Sequence, residues 1–163
     1  MRIGLLSDTH SYLDPQVFEL FAEVDEIWHA GDVGKLSVAE ELKVFKPFRC
    51  VYGNIDGQDI RLDYPRDLRW ECEGMDVWMT HIGGYPGRYN QRVRSIMKSN
   101  PPGLFICGHS HILKVMFDEK HQCLHINPGA AGKSGFHRVR TMVRFSIVEG
   151  RVKDLEAIEL GHR

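Results

Sequence analysis

The sequence predicts an α/β fold of two packed β-sheets with helices on the outside, carried by a single domain over residues 1–163. Three observations carry this. The first half alternates short apolar runs, glycine-containing polar loops and amphipathic stretches, a pattern that implies parallel strands joined by right-handed crossovers. The second half is richer in strand patterns than in helical ones. A length of 163 residues, with no internal repeat, low-complexity stretch or linker, favours one substantial core.

In chain order, Ile3–Leu6 is a short apolar strand that runs into Ser7-Asp8-Thr9-His10-Ser11. Pro15 opens a helical pattern in which Val17, Phe18, Leu20 and Phe21 share a face. Glu26–His29 is a second strand, leading into Ala30-Gly31-Asp32-Val33-Gly34. Ser37–Phe45 reads as an amphipathic helix stopped by Pro47. Arg49–Tyr52 is a third strand, ending at Gly53-Asn54-Ile55-Asp56-Gly57.

Leu68–Glu73 and Met75–Thr80 flank Gly74 as a hairpin. Pro86–Lys98 reads as a helix, its Arg88, Arg92, Arg94 and Lys98 forming a wet face, and Pro101-Pro102-Gly103 ends it. Leu104–Cys107 is an apolar strand leading into Gly108-His109-Ser110-His111. Strands at Leu113–Phe117, Cys123–Ile126, Thr141–Val148 and Val152–Ile158 complete the chain, the last two around a tight turn at Glu149-Gly150.

Composition narrows the function classes. Hydrophobic residues are 42% and charged residues 26%, ordinary for a folded domain, which argues against disorder. A net charge of -1 gives no overall basic field to hold a nucleic-acid backbone, so there is no strong nucleic-acid signal. No apolar run approaches the roughly 18 residues of a membrane span. The N-terminal run meets Asp8 too soon for a signal-peptide core, so a cytoplasmic location is expected. Cys50, Cys72, Cys107 and Cys123 have no C-x-x-C spacing and read as reduced, mostly buried thiols.

The chemistry gathers at strand ends. Asp8 and His10, then Asp32, Asn54, His81, and finally His109 and His111 all follow the C-terminal ends of expected strands. Ligands of open α/β sheets collect in the crevice beyond those ends. A lone D-x-H or H-x-H would be a weak signal, and an isolated Asp or Asn after a strand is usually a turn or cap. Recurrence at five strand ends is what independent caps do not explain. Carboxylates and imidazoles suit manganese, iron, nickel, cobalt or zinc, and two such divalent ions side by side can clamp a phosphate and generate a nucleophile. Asp32 is the natural carboxylate to bridge them. Gly31, Gly53 and Gly108 allow sharp turns beside these donors.

The ordered motifs Asp8-Thr9-His10, Gly31-Asp32, Gly53-Asn54-Ile55-Asp56, Thr80-His81 and Gly108-His109-Ser110-His111 resemble the calcineurin-like metallophosphoesterase superfamily from Ile3 to about Phe145. The short length and Asn127-Pro128-Gly129 resemble its small prokaryotic phosphodiesterase branch. The resemblance implies a four-layer αββα sandwich and a cofactor of two divalent metal ions, manganese first among them. Asp8, His10 and His111 would hold the first ion, Asp32 would bridge, and Asn54, His81 and His109 would complete the second. Asp32 and Asn54 would be the catalytic residues, and a bridging hydroxide would attack phosphorus in line.

Two departures bear on this. Relatives often carry a leaving-group-protonating histidine where this chain has Ile55, followed by Asp56, whose usual partner is that histidine. Relatives also often carry a further histidine near Ile82-Gly83-Gly84. The first favours diesters with acidic leaving alcohols, and the second weakens the second metal's ligand set.

Small phosphodiesters or nucleotide-derived molecules are the expected substrates. A phosphomonoesterase, or a non-catalytic interaction scaffold like one trafficking subunit of the same fold, are the alternatives. Larger nuclease relatives carry extra domains. Homo-oligomers occur among relatives, but no apolar stripe identifies an interface. In the basic segment from Gly132 to Arg140, His137 and Arg138 are candidate substrate contacts, and Arg88 is a weaker one. His29 reads as a structural residue beside the site, and His121, His125 and His162 as surface or edge residues.

Overall fold

A computed structural model describes residues 1–163. The elements are β1 (Arg2–Leu6), α1 (Gln16–Leu20), β2 (Glu26–His29), α2 (Leu36–Phe45), β3 (Phe48–Cys50), α3 (Gln58–Asp63), β4 (Asp67–Cys72), β5 (Met75–Thr80), α4 (Gln91–Ser99), β6 (Leu104–Ile106), β7 (Leu113–Asp118), β8 (Cys123–Pro128), β9 (Val139–Val148) and β10 (Arg151–His162). They form two five-stranded sheets, ordered β10-β9-β1-β2-β3 and β4-β5-β6-β8-β7. β1, β2 and β3 are parallel neighbours, as are β5, β6 and β8, while the outer pairings are antiparallel.

The sequence alternation explains the layers. In β1, Ile3 and Leu5 point between the sheets, where they join Trp28, Val77, Met79, Ile106 and Phe145 in a fully apolar seam. Leu6, one residue on, faces outward and is covered with Val17, Phe21, Leu42 and Ile60 by the first three helices. The outer face of the second sheet packs Trp78 and Phe105 under Val93 and Met97 of α4. The result is helix, sheet, sheet, helix. No helix is long and apolar enough to cross a membrane.

Four sequence expectations change. α3 was not anticipated: a six-residue helix that buries Ile60 alone leaves no periodicity to read. α4 begins at Gln91 rather than Pro86, because Asn90 caps it by accepting from Val93 N at 2.8 Å, while residues before it form a turn with Gly87 at φ 86°. His125 is 0% exposed rather than superficial, since β8 lies between β6 and β7 and turns this ring onto Phe105. Exposed apolar side chains do gather on one element: Ile112, Val115, Met116 and Phe117 lie on or beside β7, an edge strand.

Candidate metal centre

The donor loops continue the parallel ladders past the strand ends. Asp8 N donates to Gly31 O at 2.9 Å, His10 N to Asp32 O at 3.0 Å, and Gly108 N to His81 O at 2.9 Å. Pairing beyond the strands forces the chain to turn abruptly. Asp8, His10, Asp32, His109 and His111 all take positive φ, between 45° and 69°. L-residues in this region cost on the order of 1–2 kcal/mol each, and such strain concentrates at functional sites. The glycines between them are required by close approach: a Cβ on Gly53 would run into the Asp32 carboxylate, and one on Gly108 into the Ser7 hydroxyl.

These turns bring the side chains together across the crevice. Asp8, His10 and His111 place donor atoms within 4.8 Å of one another, and so do Asp32, His81 and His109. The groups touch. Asp32 Oδ2 lies 3.4 Å from His10 Nε2 and 3.2 Å from His81 Nε2. Asp8 Oδ1 lies 3.1 Å from His111 Nε2 and 3.8 Å from His81 Nε2. Both carboxylates are buried, yet Asp8 Oδ1, His10 Nε2 and His81 Nε2 have no hydrogen-bond partner.

Electrostatics follow from this crowding. Burial alone would raise the Asp8 carboxyl, but the imidazoles of His10, His111 and His81 and the Ser7 hydroxyl hold it well below the usual carboxylate range. Asp32 is lowered in the same way, against its burial, by His81 and the Ile55 N–H. His81 is raised because Asp32 and Asp8 outweigh its burial. His109 is lowered by burial and by His81.

A second set of bonds fixes which ring nitrogens face inward. Nδ1 of His81 donates to Ala30 O at 2.7 Å, so Nε2 keeps its lone pair toward the carboxylates. His137 Nε2 donates to Gly132 O at 2.8 Å, which leaves its Nδ1 to accept from His111 Nδ1 at 3.1 Å and frees His111 Nε2. His29 is buried behind the site: its Nε2 donates to Thr9 Oγ1 at 3.0 Å, and its Nδ1 accepts from Gly31 N at 3.2 Å. Burial lowers this ring to about 4, which keeps it neutral.

Three other residues hold the loops in register. Ser7 Oγ donates to Asp8 Oδ2 at 2.6 Å. Asn127 Nδ2 donates to Gly108 O and Ser110 Oγ at 2.9 and 3.0 Å. The buried Asp56 does not lack partners, because it accepts from the backbone N–H groups of Val33, Gly34 and Gly53 at 3.2, 2.8 and 2.8 Å. That ties the Asp32 loop to the Asn54 loop.

Asn54 is exposed at the rim, beside Ile55 and the mouth formed with Phe136. His137 sits behind His111 rather than in the opening. Arg138 is exposed and does not line that mouth. Arg61, Arg66 and Arg92 line a neighbouring cavity; Arg61 and Arg66 carry no signal in the sequence, and the structure moves Arg92 from the wet helix face expected of it to this wall.

Comparison with known proteins agrees with this geometry. Residues 1–150 match the calcineurin-like phosphoesterase superfamily domain. A protein of Methanothermobacter thermautotrophicus described as a probable metallophosphoesterase is 30% identical, over 99% of this chain and 94% of its own. One of Methanocaldococcus jannaschii described as a phosphodiesterase is 28% identical, over 79% and 83%. Among solved structures, an archaeal phosphodiesterase has the same fold at TM-score 0.78 and 24% identity, covering 98% of this chain and all of that one. Vps29 from Entamoeba histolytica also shares it, at TM-score 0.73 and 16% identity over 99% and 100%. With its residues 1–150 matched and its donor motifs in order, the chain belongs to the calcineurin-like phosphoesterase superfamily.

Proposed function

We propose that this chain is a metal-dependent hydrolase of phosphodiesters. In this reading Asp8, His10 and His111 hold one divalent cation, Asp32, His81 and His109 hold a second, Asp32 reaches both, and Asn54 completes the second set. The observation that carries it is the trio of buried donor atoms, Asp8 Oδ1, His10 Nε2 and His81 Nε2, that no protein group satisfies. Orphaned buried donors are costly unless something binds them, and oxygen and imidazole donors with fixed tautomers suit manganese, iron, nickel, cobalt or zinc without deciding among them. The match of residues 1–150 to the calcineurin-like phosphoesterase superfamily domain supports the reading.

Bound cations would supply Lewis acidity at the phosphoryl oxygens and a nucleophile near neutral pH. The chain's own side chains position the ester. Asn54 borders the opening over the imidazoles, where its amide can orient a phosphoryl oxygen. Ile55 beside it offers no proton to a departing alkoxide, which favours leaving alcohols that are already acidic. Small phosphodiesters with such leaving groups, including nucleotide-derived ones, are the substrate class. Four buried, unpaired cysteines suit a reducing compartment such as the cytoplasm.

The test is the initial rate on bis(p-nitrophenyl) phosphate with added manganese, with chelator, and in an Asp32→Asn variant. Manganese-dependent turnover that the variant loses by roughly a hundredfold or more is expected. Well-folded protein inactive with manganese, and with iron, nickel, cobalt and zinc each in its place, would overturn the reading and favour an interaction scaffold.

A further inference from the structure

Beside the imidazole cluster, on the other side of Asn54 and His81, a separate cavity of about 280 Å³ opens to solvent. Its walls carry three arginines, Arg61, Arg66 and Arg92, and no carboxylate. In a chain of net charge -1, that local excess is not a by-product of composition.

The three guanidinium groups are differently held. Arg61 donates only to neutral acceptors, Asp56 O at 2.7 Å and Gly53 O and Asn54 O at 3.4 Å, and lies over the Tyr52 ring at 4.5 Å, so its charge is uncompensated. Arg92 is anchored by Asp67 at 2.8 Å and by Thr80 Oγ1 at 2.7 Å, yet its Nε is buried with no partner. Arg66 is exposed and makes no side-chain bond. One is fixed by the backbone, one by a single carboxylate, and one is free to close on whatever enters. Planar guanidinium forks match the oxygen geometry of phosphate.

We propose that this cavity is a specificity site for a second phosphate on the substrate, a group carried a few bonds from the ester being cleaved over the imidazoles. The proposal rests on the phosphodiesterase reading and deepens it: the preferred substrates are phosphodiesters that bear an additional phosphate. Arg61 sets the floor of the site and keeps Asn54 in place through its backbone. Arg66 closes over the anion from the rim.

The experiment compares two esters that share a scissile bond and a leaving group, thymidine 5′-(p-nitrophenyl phosphate) and its 3′-phosphorylated counterpart, in wild type and in Arg66→Gln. Arg66 has no partner to lose, so the replacement leaves the loops intact. Wild type should favour the 3′-phosphorylated ester by roughly tenfold in kcat/KM, mostly through KM, the size of one charge-assisted hydrogen bond. Arg66→Gln should bring the ratio close to one. A wild-type ratio near one, or a ratio that Arg66→Gln does not reduce, would overturn the site. If neither ester turns over, the phosphodiesterase reading fails separately. The cavity is then judged by calorimetry with thymidine 3′,5′-bisphosphate. Binding roughly tenfold tighter in wild type than in Arg66→Gln supports it, and equal affinity overturns it.

Discussion

Ile55 contributes to the site through its backbone and leaves its side chain to solvent: its N–H reaches Asp32 Oδ1 at 3.0 Å, while the side chain is 46% exposed beside Asn54. A histidine there would keep the backbone bond and add a proton donor at the mouth of the centre. Ile55→His is therefore expected to raise turnover of alkyl phosphates relative to aryl phosphates by at least roughly tenfold, read as the ratio of the two kcat values. An unchanged ratio would mean that the departing oxygen lies elsewhere. A different residue, His125, contributes to acid stability. It is fully buried, neither ring nitrogen has a partner, and burial lowers it to about 4 from the usual 6.5. Above pH 6.5 the ring is neutral in both the folded and the unfolded chain. As pH falls from 6.5 to 4 only the unfolded chain takes up the proton, so stability drops, by up to about 3 kcal/mol, and this contribution is flat below. Thermal melts of His125→Leu should show a visibly shallower loss over that window than wild type, and parallel curves would refute the assignment. The chain alone did not disclose this histidine, because a single His in a short strand carries no mark of whether the strand is central or at an edge.

At the scale of elements, what was legible was the succession of strand ends. Five of the apolar runs stop at a polar loop containing a donor, and parallel strands send those loops to one edge. What was not legible depended on packing between loops. α3 buries one side chain, so no pattern announces it, yet its Arg61 reaches back to the carbonyl oxygens around Asn54. The start of α4 was open to a closer reading: Asn90 is a good N-cap, and Pro86-Gly87 is a turn pair. With the helix begun at Gln91, Arg92 lies against Thr80 and Asp67 at the cavity wall and not on a wet face. The loop-to-loop tie through Asp56 gives the prediction that belongs here. Its carboxylate holds three backbone N–H groups from two loops, so Asp56→Ala should cost about 3 kcal/mol, a fall in Tm of roughly 6–12 °C. Turnover should fall further than the fraction unfolded explains, because Asp32 and Asn54 lose their common anchor. Activity that tracks folded protein alone would show Asp56 to be a stability residue only.

Across the whole molecule, the donors are divided between the sheets. Asp8, His10, Asp32 and Asn54 follow β1, β2 and β3 of one sheet, while His81, His109 and His111 follow β5 and β6 of the other. Each proposed ion would therefore draw ligands from both: Asp8 and His10 with His111, and Asp32 with His81 and His109. An ion bound this way joins the sheets at their open end, whereas the apolar seam, with fifteen buried residues, joins them along their length. That seam does not need the ion, so the metal-free chain should remain folded and melt cooperatively. Binding to the folded state alone adds RT ln(1 + [L]/Kd), about 2.7 kcal/mol at a hundredfold excess over Kd, which for a domain of this size is a rise in Tm of roughly 5–10 °C. Manganese is the ion for this measurement, since zinc also binds the cysteines and histidines of an unfolded chain and would mask the effect. Wild type titrated with manganese should show the rise and lose it to chelator. His81→Ala should show a smaller one, because the Asp8, His10 and His111 group survives. Full retention of the shift in His81→Ala would assign it to an ion at Asp8, His10 and His111 alone and leave the Asp32, His81 and His109 group without a bound ion, and no shift in wild type would remove the metal from the account of this fold.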